Sequence, residues 1–271
     1  METPQDAPVE PRALQVSVLV ISQQQKPLLA ATLTALAART EPELSEVIVV
    51  DCGSQDGSAH LDEEFEAVTF LRLPRNFGWA RAVNIGCRTA KGQYLLLLPN
   101  GVVVTPDAIQ RLLAALEQQP AAGAACPAGA FYALPKPGET ALRPVSPESA
   151  EYPFDQPVLI PKVALASMNY FPDSYGQFYA DLELFHKIRE AGKRVVVLPD
   201  LVLPRQSAPQ ELMDEETLAA DQLNGLAAYY GKNYGFFSGF SFRLSAGLKA
   251  LATLRLGLAG KVLGGAKVDG L

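Results

Sequence analysis

The sequence predicts an α/β fold in which helices cover both faces of a mostly parallel β-sheet. Short apolar runs of strand length alternate along the chain with segments in which apolar residues recur at helical spacing. The strand-length runs are apolar throughout, as expected of strands that are buried on both faces. With 271 residues, of which 48% are hydrophobic, the chain can bury one large core of this kind and still carry an extension.

The elements follow one another in βαβ order. Residues 16–21 and 47–50 are continuous apolar runs and are predicted to be parallel strands. Between them Pro27 suits the first turn of a helix, whose apolar spacing continues to residue 37. The same reasoning predicts strands over residues 69–73, 94–98 and 195–198, and helices over residues 80–90, 106–118 and 181–191, the last one stopped by Gly192.

Composition divides the chain into three parts. Residues 1–14 are acidic and contain prolines, which predicts a disordered tail. Residues 15–210 carry the alternating pattern, but residues 127–161 hold eight prolines and are predicted to be an irregular insertion across the mouth of the sheet. Residues 211–271 begin with clustered acids and continue with cations, so a separate helical extension is expected there.

Charge and cysteine usage exclude several classes of protein. A net charge of −6 and a pI near 5.1 argue against nucleic acid as a partner, because phosphate binding needs a field of Lys and Arg. The three cysteines are far apart and lie in apolar surroundings, which indicates reduced core thiols and a cytoplasmic protein. We find no secretory signal and no apolar run long enough to cross a bilayer. Attachment to a membrane surface is therefore the form of membrane association that the sequence leaves open.

Polar residues follow the second predicted strand, at the edge where open α/β sheets bind ligands. The apolar run ends in Asp51, and Gly53 and Ser54 come directly after it. A carboxylate here can accept a hydrogen bond from a base N–H, and glycine permits close approach of the backbone. The alternative is a strand-to-helix turn in which Asp51 and Ser54 satisfy only backbone N–H groups.

Several stretches in the same order resemble the inverting family 2 glycosyltransferases, which have the GT-A fold, a Rossmann-like α/β fold. The similarity extends over roughly residues 15–205, and rhamnosyltransferase-like members are the most similar. It is carried by the first strand and the Asp51 turn, by Asn76-Phe77-Gly78-Trp79-Ala80-Arg81-Ala82-Val83-Asn84-Ile85-Gly86, by the strand that starts after Lys91-Gly92, and by Ala180-Asp181-Leu182-Glu183-Leu184 with the strand after it.

The resemblance implies a nucleotide-sugar site on the strand tips. Asp51 would contact the base, with Ser22, Gly53 and Ser54 beside it and Asn100 at the end of a neighbouring strand. The implied donor is a UDP-, dTDP- or GDP-linked sugar.

The resemblance also implies the catalytic groups. Asp181 takes the place of the general base that removes the proton of the acceptor hydroxyl, and Glu183 belongs to the same motif. Arg81 would face the diphosphate or the sugar, unless it is only an exposed helix cation. The implied acceptor is a glycan or a lipid-linked molecule, as in the synthesis of cell-envelope polysaccharides.

The metal motif of the family is missing. Members follow the inner strand with Asp-x-Asp, whose carboxylate holds Mg²⁺ or Mn²⁺ against the diphosphate. Here Pro99, Asn100 and Gly101 stand in those places, so a divalent cation would be held poorly and no metal cofactor is expected. A histidine that is the second metal contact in many relatives is replaced by Arg205.

Two explanations of this loss stay open. In the first, Arg205, together with Arg81 or Lys162, replaces the metal and neutralises the leaving diphosphate, because a guanidinium matches phosphate oxygens and stays charged. In the second, the chain is a catalytically inactive pseudoenzyme that binds a nucleotide sugar, or a scaffold at the membrane periphery.

The C-terminal extension carries an amphipathic pattern. Apolar residues that we interpret as one helical face are Phe236, Phe237, Phe240, Phe242, Leu244, Leu248, Leu251, Leu258 and Val262. The charged residues among them are all cationic, which is typical of a helix that lies on an anionic membrane. The alternative is a helix that packs on the protein itself.

Overall fold

The computed structural model describes residues 15–38, 45–207 and 214–268, which have the predicted α/β architecture. The strands are β1 (Val16–Ser22), β2 (Ser45–Asp51), β3 (Thr69–Arg72), β4 (Tyr94–Leu98), β5 (Ala122–Pro127), β6 (Phe131–Tyr132), β7 (Pro144–Val145), β8 (Val158–Pro161) and β9 (Arg194–Leu198). Seven of them form one sheet in the order β3-β2-β1-β4-β8-β5-β9. Within this sheet only β8 runs antiparallel to its neighbours.

Helices cover both faces of the sheet, as predicted. They are α1 (Lys26–Ala37), α2 (Trp79–Thr89), α3 (Pro106–Gln118), α4 (Lys162–Ser167), α5 (Leu182–Glu190), α6 (Glu215–Asn233), α7 (Phe236–Ala252) and α8 (Leu256–Leu263). Successive residues of β1 enter two separate apolar clusters, since side chains of a strand alternate between its faces. Leu33 of α1 and Leu112 of α3 join one cluster, whereas Val83 of α2 and Leu184 of α5 join the other.

The segment over residues 127–161 differs from the predicted irregular insertion in its last part. It contains the small antiparallel hairpin of β6 and β7, and it ends in β8, which lies between β4 and β5 in the main sheet. The prediction was therefore wrong for residues 158–161. Pro157 stands just before this strand and Pro161 ends it, so the prolines flank a run of three buried aliphatic residues.

Two apolar clusters hold the C-terminal helices. Leu226, Tyr229 and Tyr230 of α6 belong to the same cluster as α5, whereas Ala220 of α6 packs with Ala246, Ala250, Leu258, Ala259 and Val262 of α7 and α8. The single helical face expected for the extension is wrong, because Leu254, with φ of +59°, turns the chain between two helices. Phe242, Leu258 and Val262 point inward.

Two predictions from the sequence fall outside the described residues. The tail at 1–14 is one, and the domain boundary at residue 210 lies in the undescribed stretch 208–213, so that division stays a prediction. As for bilayer crossing, the helices in the described ranges are all too short or too polar to serve as a transmembrane span.

Candidate active site

The predicted nucleotide residues meet at the carboxyl ends of three neighbouring strands. Ser22 is the last residue of β1 and lies opposite Asp51, the last residue of β2, in the parallel register. Asn100 follows β4, and its Nδ2 donates a hydrogen bond to the carbonyl oxygen of Ile21 at 2.9 Å. The topology therefore brings Ser22, Asp51 and Asn100 to one edge of the sheet, where open α/β folds bind ligands.

Each of these three side chains keeps an unpaired buried oxygen. Asp51 is 1% exposed; its Oδ1 accepts a hydrogen bond from the backbone N–H of Ser54 at 2.9 Å, while its Oδ2 has no partner among the described residues. Ser22 Oγ and Asn100 Oδ1 are likewise buried and unpaired there. An unpaired buried polar group costs about 1–3 kcal/mol, so three at one edge indicate a place prepared for a donor from outside the chain.

Gly53 allows the turn after β2 to close tightly. Its φ is +71°, in the left-handed region, and a Cβ at this position would lie 2.6 Å from the Cα of Arg75. Both facts exclude a larger residue. The turn thereby presents the backbone N–H of Ser54 to Asp51, and Ser54 Oγ accepts a hydrogen bond from the backbone N–H of Gln24 at 3.0 Å.

A loop of glutamines between β1 and α1 crosses the strand tips. Gln24 Oε1 accepts from the backbone N–H of Gln55 at 3.2 Å, and Gln25 Oε1 accepts from Asn100 Nδ2 at 3.2 Å. Gln24 has φ of +50°, a conformation that is uncommon for a residue with a side chain. The loop thus links the Asp51 turn to Asn100 above the three unpaired oxygens.

Asp181 lies at the N-terminus of α5 and is half-buried. Burial raises the pKa of its carboxyl to about 6, against the opposing effect of a hydrogen bond that Tyr152 donates from its hydroxyl to Asp181 Oδ1 at 2.8 Å. A carboxylate with a pKa near 6 is ionised at neutral pH and is a stronger base than a free aspartate. The group therefore suits general base chemistry.

Arg205 lies next to Asn100 because two chain segments pair in an antiparallel manner. Val102 and Arg205 form a bridge, and the backbone N–H of Gln206 donates to the carbonyl oxygen of Gly101 at 2.9 Å. The guanidinium of Arg205 forms an ion pair with Asp155 Oδ2 at 2.8 Å and donates to the carbonyl oxygen of Asp155 at 2.9 Å.

Residues 152–155 connect the candidate base to the candidate cation. Tyr152 binds Asp181, and three residues later Asp155 binds Arg205. The negative charge of Asp155 also contributes to the raised pKa of Asp181. Sequence reasoning missed both Tyr152 and Asp155, since they lie in the proline-rich segment and each partner is distant along the chain.

The other predicted residues lie elsewhere. Arg81 forms an exposed ion pair with Asp173 at 3.4 Å. Lys162 donates to the carbonyl oxygen of Ala90, at the end of the sheet opposite to the strand tips, so the idea that it helps to replace the metal is wrong.

Glu183 is fully buried and makes its contacts away from Asp181. It accepts from Tyr175 at 2.5 Å and from Asn233 at 3.2 Å, and Lys232 Nζ lies 3.1 Å from its Oε2. Through these contacts Glu183 joins α5 to the end of α6.

The residues present do not fit a divalent metal ion. In the described part of the chain no three His, Cys, Asp or Glu side chains are close enough to hold one. At the position of the family's metal motif, Asn100 is the single side chain with an oxygen, whereas Mg²⁺ or Mn²⁺ prefers carboxylates.

A wide surface groove lies away from the candidate site. It has a volume of about 790 Å³ and is lined by residues such as Gln93, Tyr94, Pro161 and Lys193. These residues stand before β4 and β9 or at the end of antiparallel β8, so the groove lies at the edge opposite to Asp51.

Comparison with known proteins agrees with this geometry. Residues 17–165 match the sequence family described as Glycosyl transferase family 2. The chain is 31% identical over 105 residues to an uncharacterized glycosyltransferase of Haemophilus influenzae, covering 39% of this chain and 35% of that protein. It is 34% identical over 111 residues to the undecaprenyl-phosphate 4-deoxy-4-formamido-L-arabinose transferase of Aeromonas hydrophila, covering 38% and 34%. The matches thus span about a third of these relatives.

Solved structures share the fold across most of the chain. The mannosyltransferase PcManGT from Pyrobaculum calidifontis, in complex with GDP-Man and Mn²⁺, superposes with a TM-score of 0.64 at 17% identity, covering 98% of this chain and 90% of that one. S. aureus TarS 1–349 in complex with UDP-GlcNAc superposes with a TM-score of 0.61 at 16% identity, covering 80% and 67%. The predicted GT-A architecture is confirmed.

Proposed function

Because the chain belongs to glycosyl transferase family 2, we propose that it transfers a sugar from a nucleoside diphosphate sugar to an acceptor hydroxyl without using a divalent cation. The observation that carries the proposal is the group of three unpaired buried oxygens on Ser22, Asp51 and Asn100. A nucleotide supplies the N–H and O–H donors that these oxygens lack, on its base and its ribose. PcManGT and TarS, solved with GDP-Man and with UDP-GlcNAc, support a donor of this class.

The proposed reaction is a single displacement with inversion. The acceptor oxygen attacks the anomeric carbon, Asp181 takes the hydroxyl proton, and the bond between that carbon and the diphosphate oxygen breaks with its electrons going to the diphosphate. Asp181 performs this role only when ionised, above a pH of about 6. Tyr152 holds the carboxylate in place.

Arg205 is the proposed partner of the leaving diphosphate. Its backbone pairs with Val102, two residues after Asn100 at the position of the family's metal motif, and its side chain is 41% exposed and therefore accessible. In the free protein its charge is met by Asp155. A diphosphate carries more charge and matches the guanidinium fork, so we propose that it replaces Asp155 when the donor binds.

The acceptor and its location are also part of the proposal. The Aeromonas relative is named for transfer involving undecaprenyl phosphate, which supports a lipid-linked acceptor, and a glycan acceptor is the alternative. We propose that the protein acts in the cytoplasm on cell-envelope polysaccharide. The inverting mechanism and a rhamnosyl donor belong to the same proposal.

The test measures donor binding and turnover in excess EDTA. We expect a UDP-, dTDP- or GDP-sugar to raise the melting temperature equally with EDTA and with Mn²⁺, and we expect transfer to survive EDTA.

Asp51→Asn replaces the unpaired Oδ2 by a donor of the same shape and should abolish the shift in melting temperature. Asp181→Asn should keep the shift and lose turnover at least about 100-fold. Activity that disappears with EDTA and returns with Mn²⁺ contradicts the metal-free mechanism.

A second candidate function is a nucleotide-sugar-binding pseudoenzyme. The absence of a carboxylate at residues 99–101 favours it, as does the glutamine loop that links Asn100 to the Asp51 turn. Donor binding that depends on Asp51, with no turnover for any donor in either buffer, would establish this function. If no nucleotide sugar binds, the remaining hypothesis is a scaffold at the membrane periphery.

A further inference from the structure

Helix α7 exposes a continuous apolar surface that nothing in the described part of the chain covers. We call it the α7 apolar face, and it consists of Phe236 (73% exposed), Phe237 (81%), Phe240 (55%), Leu244 (42%), Leu248 (55%) and Leu251 (40%). Leu254 (84%) and Leu256 (67%) extend it into the turn before α8. Large apolar side chains exposed in such a group mark an interaction surface.

The helix is therefore apolar on two sides. At 100° per residue, the six members of the α7 apolar face fall within an arc of about 120°. Phe242, Ala246 and Ala250 occupy the opposite side and are buried against α6 and α8. The inner side accounts for the packing of α7, so the α7 apolar face is not needed to hold the helix on the protein.

Cations border this face. Arg243 stands at one edge of the face along the helix and Arg255 follows in the turn, whereas Lys249 is exposed on the other side of α7. None of the three forms an ion pair within the described residues. The sequence has no Asp or Glu from residue 222 to residue 268, although the whole chain carries a net charge of −6. Arg243 and Arg255 therefore place positive charge beside the apolar surface.

We propose that the α7 apolar face docks on an anionic lipid surface. The phenylalanine rings and the leucine side chains enter the boundary between lipid headgroups and acyl chains, while the cationic side chains at the border reach the lipid phosphates. A second copy of the chain fits less well, because a two-fold contact through this face would bring the same cations together with no acid to pair with them.

The docking surface is connected to the candidate catalytic helix. Lys232 and Asn233, which bind Glu183 of α5, are the last residues of α6, and α7 begins three residues later. Docking through Phe236 and Phe237 therefore holds α5, whose Glu183 contacts the end of α6, close to the lipid. Together with the proposed function, docking implies a lipid-linked acceptor. This assignment of the acceptor rests on the proposed function, whereas docking itself does not.

The experiment is flotation of the full chain with vesicles of phosphatidylcholine alone and of phosphatidylcholine mixed with phosphatidylglycerol. We expect binding to the mixed vesicles only, weakened by added salt. Phe236→Ser with Phe237→Ser should lower the bound fraction about tenfold or more. The matched control is Val163→Ser with Val202→Ser, two side chains that are each 72% exposed but lie outside the face, and it should bind like the unchanged protein.

A second pair of variants tests the charge. Arg255→Glu should weaken the preference for phosphatidylglycerol, whereas Lys193→Glu, at a residue that is exposed elsewhere, should keep it. Equal flotation of the phenylalanine variant and the unchanged protein overturns the proposal, as does a chain that never floats. If the unchanged protein does not bind vesicles but is a dimer in light scattering, and the phenylalanine variant is a monomer, the face binds a second copy instead. None of these readings requires enzymatic activity.

Discussion

Tyr152 and Asp155 act on the same carboxylate in opposite directions. The hydroxyl of Tyr152 donates to Asp181 and favours its ionised form, whereas the charge of Asp155 disfavours that form. Because burial has already raised the pKa of Asp181 to about 6, small changes in these contacts move its titration across the range in which the base has to work.

Two conservative substitutions should therefore shift the acid limb of the pH profile in opposite directions. In Tyr152→Phe the Asp181 carboxylate loses a donor, its pKa rises, and kcat/KM begins to fall at a higher pH. In Asp155→Asn a neighbouring negative charge disappears, the pKa of Asp181 falls, and the limb moves to lower pH. The carboxyl ¹³C shift of Asp181 measures the same pKa without turnover. If both variants have the same pH profile as the unchanged protein, these contacts do not set the pKa of Asp181.

Asp155→Asn carries a second expectation, for donor binding. The ion pair with Asp155 must break before Arg205 meets a diphosphate, so the neutral residue should lower the Kd of UDP or the preferred nucleotide by several-fold. Arg205→Lys is the companion variant, expected to weaken binding because lysine lacks the planar fork. Unchanged nucleotide affinity in both variants would remove Arg205 from the diphosphate site.

At the scale of elements, the joint between α5 and α6 depends on a buried charge. Glu183 is 0% exposed and gathers Tyr175, Lys232 and Asn233 around one carboxylate. The sequence placed it with Asp181 as a catalytic residue, and the contacts instead make it the link between the two helices.

Glu183→Ala should lower the free energy of unfolding by about 3 kcal/mol, because the buried Tyr175 and the half-buried Asn233 lose their acceptor and the exposed Lys232 loses its ion pair. Lys187→Ala on the same helix is the control; its pair with Glu190 is exposed, so the loss should stay within about 0.5 kcal/mol. Urea unfolding measures both. A stable Glu183→Ala protein that has lost turnover would restore the catalytic role.

At the scale of the whole molecule, the reactivity of the three cysteines measures whether one apolar core is folded. Cys52, Cys87 and Cys126 are free thiols that lie in the same apolar cluster, and burial raises the pKa of each to about 12. The prediction of reduced core thiols is confirmed for all three. A thiol reagent should react with them slowly in buffer and rapidly in denaturing urea, in one step. Fast reaction of the native protein would contradict this packing.

The sequence predicted five of the seven strands in the main sheet, β1, β2, β3, β4 and β9. β1, β2 and β4 are aliphatic runs with polar residues at their ends, and both features are local. β5 was missed because Ala122–Pro127 contains alanine, glycine and cysteine and no β-branched residue, so only its neighbours make it a strand. Tyr152 and Asp155 were missed because their partners are 29 and 50 residues away.

The order of the strands has a consequence for folding. β4 and β5 follow each other along the chain, but β8, which forms some thirty residues after β5, separates them in the sheet. The part that holds Asp51 closes through short βαβ loops, while the part that holds Asp181 and Arg205 waits for this late strand, because distant contacts require a longer loop to close. A nascent chain that has just passed β4 would thus carry Ser22, Asp51 and Asn100 before it carries Asp181, the proposed base.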